Sequence, residues 1–378
     1  MKVWRIPSFG IDNLELAELP EPVPGPGEVL MRVKAVSLNH RDLMMVKGTY
    51  NPRLRLPRIP CSDGAGEVVA IGDAVRRINV GDRVAGIFMQ NWINGELTAA
   101  RAKGALGGDI DGMLGEYVVL PESGVLRFPE QLSFEEAATL PCAGVTAWNA
   151  LTRASNTRAG DTVLIQGTGG VSLFALQFAK LLGARVLGTS GSDAKLDRAR
   201  GMGLDEGVNY RTTPDWAQWA LDQTGGRGVD LVVEVGGAGT LRQSFKAVKF
   251  GGTVAQVGIL AGAAEALDLP AVLHKWIRIH GIYVGSRADF ERMIRAFDRL
   301  PGPLPGGEAL PFMPAHQPEE EDRLTRQATE PLPLAVTRLV PSPKLLIDQR
   351  FAFSDAPEAF RRMESGTHFG KLVIHMDS

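Results

Sequence analysis

The sequence predicts an α/β protein in which a mostly β domain precedes a doubly wound parallel sheet. Two observations indicate this division. The chain has 378 residues, more than the roughly 250 to 300 that a single hydrophobic core usually serves, so two domains are expected. Near residue 131 the pattern also changes, from short strands broken by Pro and Gly to strands that alternate with helices of roughly ten residues.

Residues 1–130 are predicted to form the mostly β domain. Turn-forming residues at 24–27 and 80–82 separate short apolar runs, a pattern typical of strands joined by tight turns. The tail at 345–378 is expected to complete this domain and to close it with a strand at 372–374. The other predicted strands of the domain are 28–35, 66–71, 83–88 and 116–120.

Residues 131–300 are predicted to form the parallel sheet, because strands that alternate with helices build βαβ units. The helices are expected to begin near Ser172, Asp193, Pro214 and Thr240, with a further helix at 289–300. The six predicted strands are 162–167, 185–190, 207–210, 230–235, 252–259 and 277–284.

Residues 301–344 follow neither pattern. The segment is rich in Pro, Glu and Gly and has no period of 2 or 3.6 residues, so we expect an irregular surface insertion. A functional lid or a partner-binding loop is the alternative, although such roles are the minority among long segments of this kind.

Composition and charge exclude several classes of protein. The formal net charge is -2, and Lys and Arg do not cluster as a phosphate backbone or an anionic bilayer would require, so neither nucleic acid nor membrane is an expected partner. The start of the chain lacks the apolar core of a signal peptide, which predicts a cytoplasmic protein. The two cysteines, Cys61 and Cys142, are too few for a disulfide framework or a four-cysteine zinc site.

A glycine-rich turn predicts a dinucleotide-binding site. Gly167, Gly169 and Gly170 join a buried strand to an apolar helix that continues through Val171 and Ser172. Gly167 permits the tight turn, and Gly169 lets the main chain approach a pyrophosphate, whose charge is then stabilised by the helix N-terminus. A glycine-rich turn of another α/β fold is the alternative, but the strand before the turn and the βα units after it favour a dinucleotide.

The end of the second strand of the parallel sheet indicates which dinucleotide is bound. NAD enzymes usually place Asp or Glu there, about 20 residues after the glycines. This strand instead ends in hydroxyls at Ser190 and Ser192 and is followed by Lys195, with no acid before Asp193. Hydroxyl donors and a positive charge suit a 2′-phosphate, so NADPH is predicted. The alternative for Lys195 is a solvated place on an exposed helix face.

Several motifs together resemble the medium-chain dehydrogenase/reductase superfamily, and within it the zinc-independent quinone oxidoreductase-like and alcohol dehydrogenase-like branch. The resemblance covers about residues 1–300 and 345–378. It implies a GroES-like first domain and a Rossmann second domain. The motifs lie at 37–42 (SLNHRD), 62–67 (SDGAGE), 80–84 (VGDRV), 137–147 (AATLPCAGVTA) and 368–371 (HFGK).

The same resemblance argues against a catalytic metal. The positions of the zinc ligands in zinc-dependent relatives are similar to Asn39, Ser62 and Cys142 here. A catalytic zinc needs about three Cys, His or carboxylate ligands, which one thiol cannot supply, so no metal is predicted. Cys142 is then expected to be a small core residue near the cleft.

The resemblance also implies how the rest of the cofactor is held. It implies that Thr146 lies beside the nicotinamide, that Gly258 lies near the carboxamide, and that Gly370 and Lys371 approach the cofactor from the closing tail. Tyr210, at the end of the third strand of the parallel sheet, resembles a residue that contacts the 2′-phosphate. The alternative for Tyr210 is an aromatic ring that covers the end of the sheet.

Without zinc, hydrogen-bond donors must polarise the acceptor. By resemblance the candidates are Asn39 and Tyr50, although Asn39 is equally suited to hold a turn through its side chain. Such a site suits a quinone or an enone, because hydride addition to either gives a delocalised anion. The predicted function is therefore NADPH-dependent reduction of a quinone or enone, with aldehyde or ketone reduction and a non-catalytic NADPH-binding protein as alternatives.

The last two strands of the parallel sheet also indicate how the protein assembles. The segments 252–259 and 277–284 resemble the edge through which two Rossmann domains pair across a two-fold axis. A homodimer is therefore expected, with a small-molecule substrate as the other partner.

Overall fold

A computed structural model describes residues 1–267, 269–298 and 347–376. The insertion predicted at 301–344, the last two residues of the helix predicted at 289–300, and the two residues at each end of the predicted tail lie outside the described residues.

The strands and helices of the described residues are given in chain order. The strands are β1 (Lys2–Arg5), β2 (Glu15–Glu18), β3 (Glu28–Ser37), β4 (Asp63–Ile71), β5 (Arg83–Gly86), β6 (Tyr117–Pro121), β7 (Val125–Arg127), β8 (Thr162–Gln166), β9 (Arg185–Ser190), β10 (Glu206–Asn209), β11 (Val229–Glu234), β12 (Val248–Gln256), β13 (Arg278–Gly281), β14 (Ile347–Ala352) and β15 (Lys371–His375). The α-helices are α1 (His40–Val46), α2 (Phe134–Ala138), α3 (Val145–Asn149), α4 (Gly170–Leu181), α5 (Asp193–Arg200), α6 (Trp216–Asp222), α7 (Leu241–Ala247), α8 (Leu269–His274), α9 (Arg287–Asp298) and α10 (Ala356–Glu364).

The first sheet has the strand order β14-β15-β3-β4-β5-β7, and β6 also pairs with β3. Its long central strand β3 is mostly buried and runs antiparallel to β4, with Ser37 opposite Asp63. The returning tail joins the same sheet, because β15 pairs antiparallel with β3 and places Val373 opposite Ser37. This register brings the loop after Ser37 and the loop before Asp63 to the same end of the sheet, beside the start of β15.

The second sheet confirms the predicted doubly wound parallel sheet. Its strand order is β10-β9-β8-β11-β12-β13, and every neighbouring pair is parallel. All residues of β8 and β11 are buried, as expected for strands covered by helices on both faces. The order reverses direction beside β8, which is where ligands bind in open α/β sheets.

In the second sheet, two strands differ from their predicted positions by more than one residue. β12 begins at Val248 rather than at 252, because the glycines at 251 and 252 lie inside a strand rather than in a turn before it. β13 ends at Gly281 rather than at 284, and Val284 has a left-handed φ of 57° that interrupts an extended chain.

The two sheets share one hydrophobic core. The cluster that includes Val163 and Ile165 of β8 also contains Ala35, Ala65 and Ala85 from the first sheet. A second cluster, which includes Val33 and Val68, is formed by the first domain and the tail alone. None of the described helices is both long enough and apolar enough to span a bilayer.

Candidate active site

The glycine turn between β8 and α4 presents an open surface. Gly167 has a φ of 67°, a conformation that favours glycine, and its N–H donates to the carbonyl of Thr189 at 2.7 Å. A Cβ atom at Gly167 or at Gly169 would meet no other atom within 4 Å. A ligand can therefore approach the main chain where α4 begins at Gly170, the end of the helix that attracts anions.

Ser172 occupies the place of the third glycine and connects α4 to β8. Its hydroxyl donates to the carbonyl oxygen of Gln166 at 2.6 Å, and the residue is buried. Val171, one residue earlier, is half-buried on the first turn of the helix. The serine therefore replaces close glycine packing with a hydrogen bond between the strand and the helix.

The closing tail contacts the glycine turn directly. The N–H of Gly370 donates to the carbonyl of Thr168 at 2.9 Å, and Gly370 forms a parallel bridge with Gly169. A Cβ atom at Gly170 would lie 2.5 Å from Cδ of Lys371, so the stem of that lysine crosses the start of α4. The structure thus brings the predicted residues Gly370 and Lys371 to the turn.

The end of β9 is surrounded by donor groups. Ser190 is buried, and its hydroxyl accepts from the N–H of Ser192 at 3.3 Å. A Cβ atom at Gly191 would lie 2.6 Å from the phenol oxygen of Tyr210 and 3.0 Å from Nε of Arg211. The exposed phenol and guanidinium therefore lie over the strand end.

The nearest acid beyond this strand end has another partner. The carboxylate of Asp193 accepts from the side-chain amide of Asn209 at 3.1 Å. The sequence reasoning missed Arg211; a cation directly after Tyr210, where β10 ends beside β9, is the signal that would have identified it.

Lys195 reaches the closing tail. Its ammonium donates to the carbonyl of His368 at 2.8 Å, and Ser192 caps the first turn of its helix. Burial, opposed by Asp348 and reinforced by Arg362 and Arg198, lowers the pKa of Lys195. The pKa of His368 is lowered to about 4 by burial and by the nearby Lys195 and Lys371, so its imidazole is neutral near pH 7.

The three positions equated with zinc ligands meet in one buried cluster. The amide Nδ2 of Asn39 lies 3.3 Å from Oγ of Ser62, and that hydroxyl donates to Oδ1 of Asp63 at 2.7 Å. The backbone N–H of Cys142 donates to Oδ2 of Asp63 at 3.0 Å, and burial raises the pKa of the Cys142 thiol. Asn39 also precedes α1, where its N–H donates to the carboxylate of Asp42 at 2.8 Å.

The side chains of Asn39, Ser62 and Cys142 do not form a set of ligands that fits a catalytic zinc. An amide, a hydroxyl and a protonated thiol are poor substitutes for the usual Cys and His ligands. Within 1–267, 269–298 and 347–376, no three His, Cys, Asp or Glu residues are grouped so that they could hold a metal ion.

A buried ammonium occupies the cluster. Lys371 is 4% exposed, and its Nζ donates to Oδ1 of Asn39 and to the carbonyl of Leu38, both at 2.6 Å. Burial raises the pKa of Asp63, opposed first by Lys371, and burial raises the pKa of Asp42 to about 6. Sequence reasoning singled out neither carboxylate, because the contacts that bring the two into one cluster, Ser62 with Asp42 and Cys142 with Asp63, join distant parts of the chain.

Aromatic residues from both halves of the chain pack around Arg41. The phenol oxygens of Tyr50 and Tyr283 lie 3.4 Å apart, and the rings of Tyr283 and the buried Phe88 meet edge to face at 6.3 Å. The guanidinium of Arg41 lies 4.7 Å from the Phe88 ring centroid and 5.7 Å from that of Tyr50. Burial and then the Tyr50 phenol raise the pKa of Tyr283. Tyr50 is exposed, whereas Asn39 is buried.

Two further predicted residues, Thr146 and Gly258, lie in the second domain. Thr146 is buried on α3, just after the π-helical turn Leu140–Gly144 that contains Cys142. Gly258 follows β12, and a Cβ atom there would lie 2.6 Å from the carbonyl of Val235. Glycine at 258 therefore allows the ends of β11 and β12 to approach closely.

Comparisons with known proteins agree with this architecture. Residues 25–130 match the alcohol dehydrogenase GroES-like domain, and residues 170–299 and 335–374 match models described as zinc-binding dehydrogenase. A zinc-type alcohol dehydrogenase-like protein of Schizosaccharomyces pombe is 38% identical over 97% of this chain and 96% of its own length.

Solved structures give the same result. A putative alcohol dehydrogenase from Sinorhizobium meliloti 1021 superimposes with a TM-score of 0.83 at 37% identity, over 99% of this chain and 98% of that one. A structure described as an NAD-dependent alcohol dehydrogenase has a TM-score of 0.81 at 32% identity, with both chains fully covered.

Proposed function

The chain belongs to the medium-chain dehydrogenase/reductase superfamily, as an oxidoreductase of the alcohol dehydrogenase-like kind that uses a nicotinamide cofactor, and from this premise we propose that it is a zinc-independent NADPH-dependent reductase. We propose a quinone or an enone as its acceptor. The observation that carries the proposal is the combination of a cationic, hydroxyl-rich end of β9 with a former metal site that holds no adequate set of zinc ligands.

The choice of NADPH rests on the end of β9. Tyr210 and Arg211 lie over Gly191, Ser190 and Ser192 supply hydroxyls, and the ammonium of Lys195 is nearby. These groups suit a 2′-phosphate, whereas an NAD enzyme needs a free carboxylate at this point. The relative described as NAD-dependent shares 32% of its residues with this chain, so the local chemistry is the better guide.

The remaining contacts with the cofactor follow from the glycine turn. Gly167, Gly169, Gly170 and Val171 would hold the pyrophosphate at the start of α4, where backbone N–H groups favour an anion. Gly370 would close over it from the tail. The nicotinamide end would lie towards Thr146 and Gly258, and it supplies the hydride when the cofactor is bound.

Zinc independence is proposed although several relatives carry zinc in their names. Asn39 and Ser62 cannot act as thiolate or imidazole ligands, and Cys142 alone supplies one of the roughly three ligands that a catalytic zinc needs. The residues of this chain must therefore orient the acceptor and polarise it through hydrogen bonds. Asn39 and Tyr50 are the proposed donors, and Tyr50 is the more exposed of the two.

The aromatic side chains beside Arg41 favour a flat, conjugated acceptor. Tyr50 and Tyr283 are exposed and offer ring faces and edges to such a molecule, and the guanidinium of Arg41 stacks against Tyr50. Reduction of an aldehyde or ketone is the second candidate, favoured by the alcohol dehydrogenase names of the relatives.

We also propose that the protein is a homodimer that pairs through β13. Every residue of β13 is exposed, and within the described residues β12 is its one neighbour in the sheet. Trp276 is 82% exposed beside it, together with Leu269 and Leu273. A free strand edge with apolar neighbours is a typical pairing surface. Light scattering should give twice the 40.7 kDa chain mass; a monomer would contradict the proposal.

The reaction can be tested with the purified protein. Initial rates with quinones, enones, aldehydes and alcohols should be measured with NADPH and with NADH, before and after treatment with a chelator, alongside metal analysis. We expect turnover of quinones or enones with NADPH, unchanged by the chelator, in protein that lacks stoichiometric zinc. Turnover of alcohols only with NAD and zinc would overturn the proposal. NADPH binding without turnover of any acceptor would indicate a non-catalytic protein.

A further inference from the structure

The side chain of Lys371 connects the glycine turn to the former metal site. It begins on β15 next to Gly370, and its Cδ lies so close to Gly170 that a Cβ atom there would be 2.5 Å away. Its Nζ then reaches Asn39 and Leu38 at 2.6 Å each. The stem thus lies beside the predicted pyrophosphate site, while the charge lies among the residues that replace the zinc ligands.

The surroundings of this ammonium match those of a bound cation. Two carboxylates, Asp63 and Asp42, lie close enough to act electrostatically on it. Asn39 presents its carbonyl oxygen to the ammonium, because an ammonium can only donate. An isolated buried charge would be costly, so the carboxylates and these two acceptors explain how it is retained.

Lys371 still has a donor to offer. An ammonium carries three N–H groups, and acceptors within the described residues account for two of them. The amide of Asn39 is more fully occupied, because its Nδ2 faces Ser62 and the Asp63 carboxylate. Cys142, on the border of the cluster, is partly exposed, so solvent reaches this side of the cluster.

We propose that the ammonium of Lys371 replaces the catalytic metal and donates its third N–H to the oxygen of the acceptor. The inference rests on the proposed function and adds the group that polarises the acceptor. Asn39 then acts as the residue that positions the ammonium, and Asp63 and Asp42 balance its charge.

The step balances without any further reagent. When hydride adds to a carbonyl carbon, the π pair moves to the oxygen, which takes a proton from the ammonium to give the alcohol. The neutral amine then regains a proton from water. When hydride adds to the β carbon of an enone, the negative charge appears on the enolate oxygen, where the ammonium stabilises it. Water then protonates the α carbon.

Lys371→Met and Lys371→Arg test the catalytic role, with Lys47→Met as a matched control at an exposed lysine that pairs with Glu364. We expect kcat to fall about 100- to 1000-fold in Lys371→Met, the loss typical of removing one donor to a developing oxyanion. Lys371→Arg should recover part of it. The Kd for NADPH, measured by fluorescence, should change less than about threefold in both variants. The loss of one charge-assisted hydrogen bond to the cofactor would change it by more. An unchanged kcat would overturn the proposal, as would a loss confined to NADPH binding.

A second experiment does not depend on the acceptor or on turnover. Ser62→His places an imidazole beside Cys142 and leaves Asn39, the acceptor of the ammonium, in place. Cobalt binding can be followed by its thiolate absorption. If the ammonium lies where the metal would, this variant should bind cobalt at least about tenfold more weakly than the same variant with Lys371→Met, because like charges repel. Equal affinities would overturn the proposed position of the ammonium. If the wild type turns over no acceptor, the proposed function fails, while this comparison still reports on Lys371.

Discussion

The ammonium of Lys195 donates a hydrogen bond to the carbonyl of His368 across 2.8 Å, and this contact joins α5 of the nucleotide sheet to the closing tail. The contact places the tail beside the first turn of α5, next to the end of β9. Because the ammonium has two further N–H groups, Lys195 can hold the tail and contact a phosphate at the same time.

Lys195→Ala should raise the Michaelis constant for NADPH about tenfold and that for NADH less than about threefold. The reason is that only NADPH carries a 2′-phosphate, and one charge-assisted hydrogen bond contributes about 1.5 to 3 kcal/mol. Steady-state kinetics with both cofactors measures this. Lys180→Ala, which removes an exposed ion pair with Asp205, serves as the control. Equal effects on both cofactors would remove Lys195 from the site.

Arg211→Gln should also weaken the binding of NADPH more than that of NADH, because the Arg211 guanidinium lies next to Gly191 at the end of β9. We expect the Kd for NADPH to rise about tenfold, with a smaller rise at high salt, since the interaction of an exposed arginine is screened. Titration calorimetry at two salt concentrations measures both effects. Arg200→Gln is the control, because Arg200 pairs with Asp197 on the same helix. A rise of the same size in that control would contradict the assignment.

Gly169→Val should abolish cofactor binding without changing the fold. A Cβ atom at Gly169 meets no protein atom within 4 Å, and the residue has an ordinary φ of -82°. The added side chain would instead fill the space that a pyrophosphate needs. The midpoint of thermal unfolding should stay within about 1 °C, a change of under about 1 kcal/mol in the free energy of unfolding, and NADPH fluorescence should show no binding. Gly201→Ala, also with an ordinary φ, should bind normally. Normal NADPH binding by Gly169→Val would place the cofactor elsewhere.

Asp42→Asn should change how stability depends on pH. Burial raises the pKa of Asp42 from 3.8 to about 6, so the folded chain holds this proton where the unfolded chain releases it. The resulting stability is fully present below pH 3.8 and is lost as the pH rises through 6, about 3 kcal/mol in all.

The measurement is the free energy of unfolding by urea from pH 4 to pH 7. The wild type should lose about 2.4 kcal/mol more than Asp42→Asn over this range, because at pH 4 the unfolded chain already releases part of this proton. The raised pKa of Asp63 acts in the same direction in both proteins and cancels in the difference. Asn cannot accept both backbone N–H groups, which adds an offset that is the same at every pH. Parallel curves would show that Asp42 does not titrate in this range.

The sequence predicted the parts of the molecule that local patterns determine. Buried strands such as β8 and β11 have apolar runs at their centres, 163–165 and 231–233, and the glycine turn lies where such a strand meets an apolar helix. The bond between Lys371 and Asn39 joins residues 332 positions apart, and no local pattern encodes it. It depends on β15 pairing with β3 and on Ser37 lying opposite Asp63, which only the assembled sheet provides.

The bond between Gly370 and Thr168 has a consequence for exchanging parts between relatives. The tail belongs to the first sheet by strand pairing, yet its backbone completes the nucleotide turn of the second. A chimera can combine the first domain of one relative with the second domain of another. Its C-terminal tail then contacts a sheet from the other parent, whichever parent donates the tail. Although the two halves form separate sheets, they share this contact. Acceptor preference and cofactor preference should therefore be hard to exchange independently between relatives.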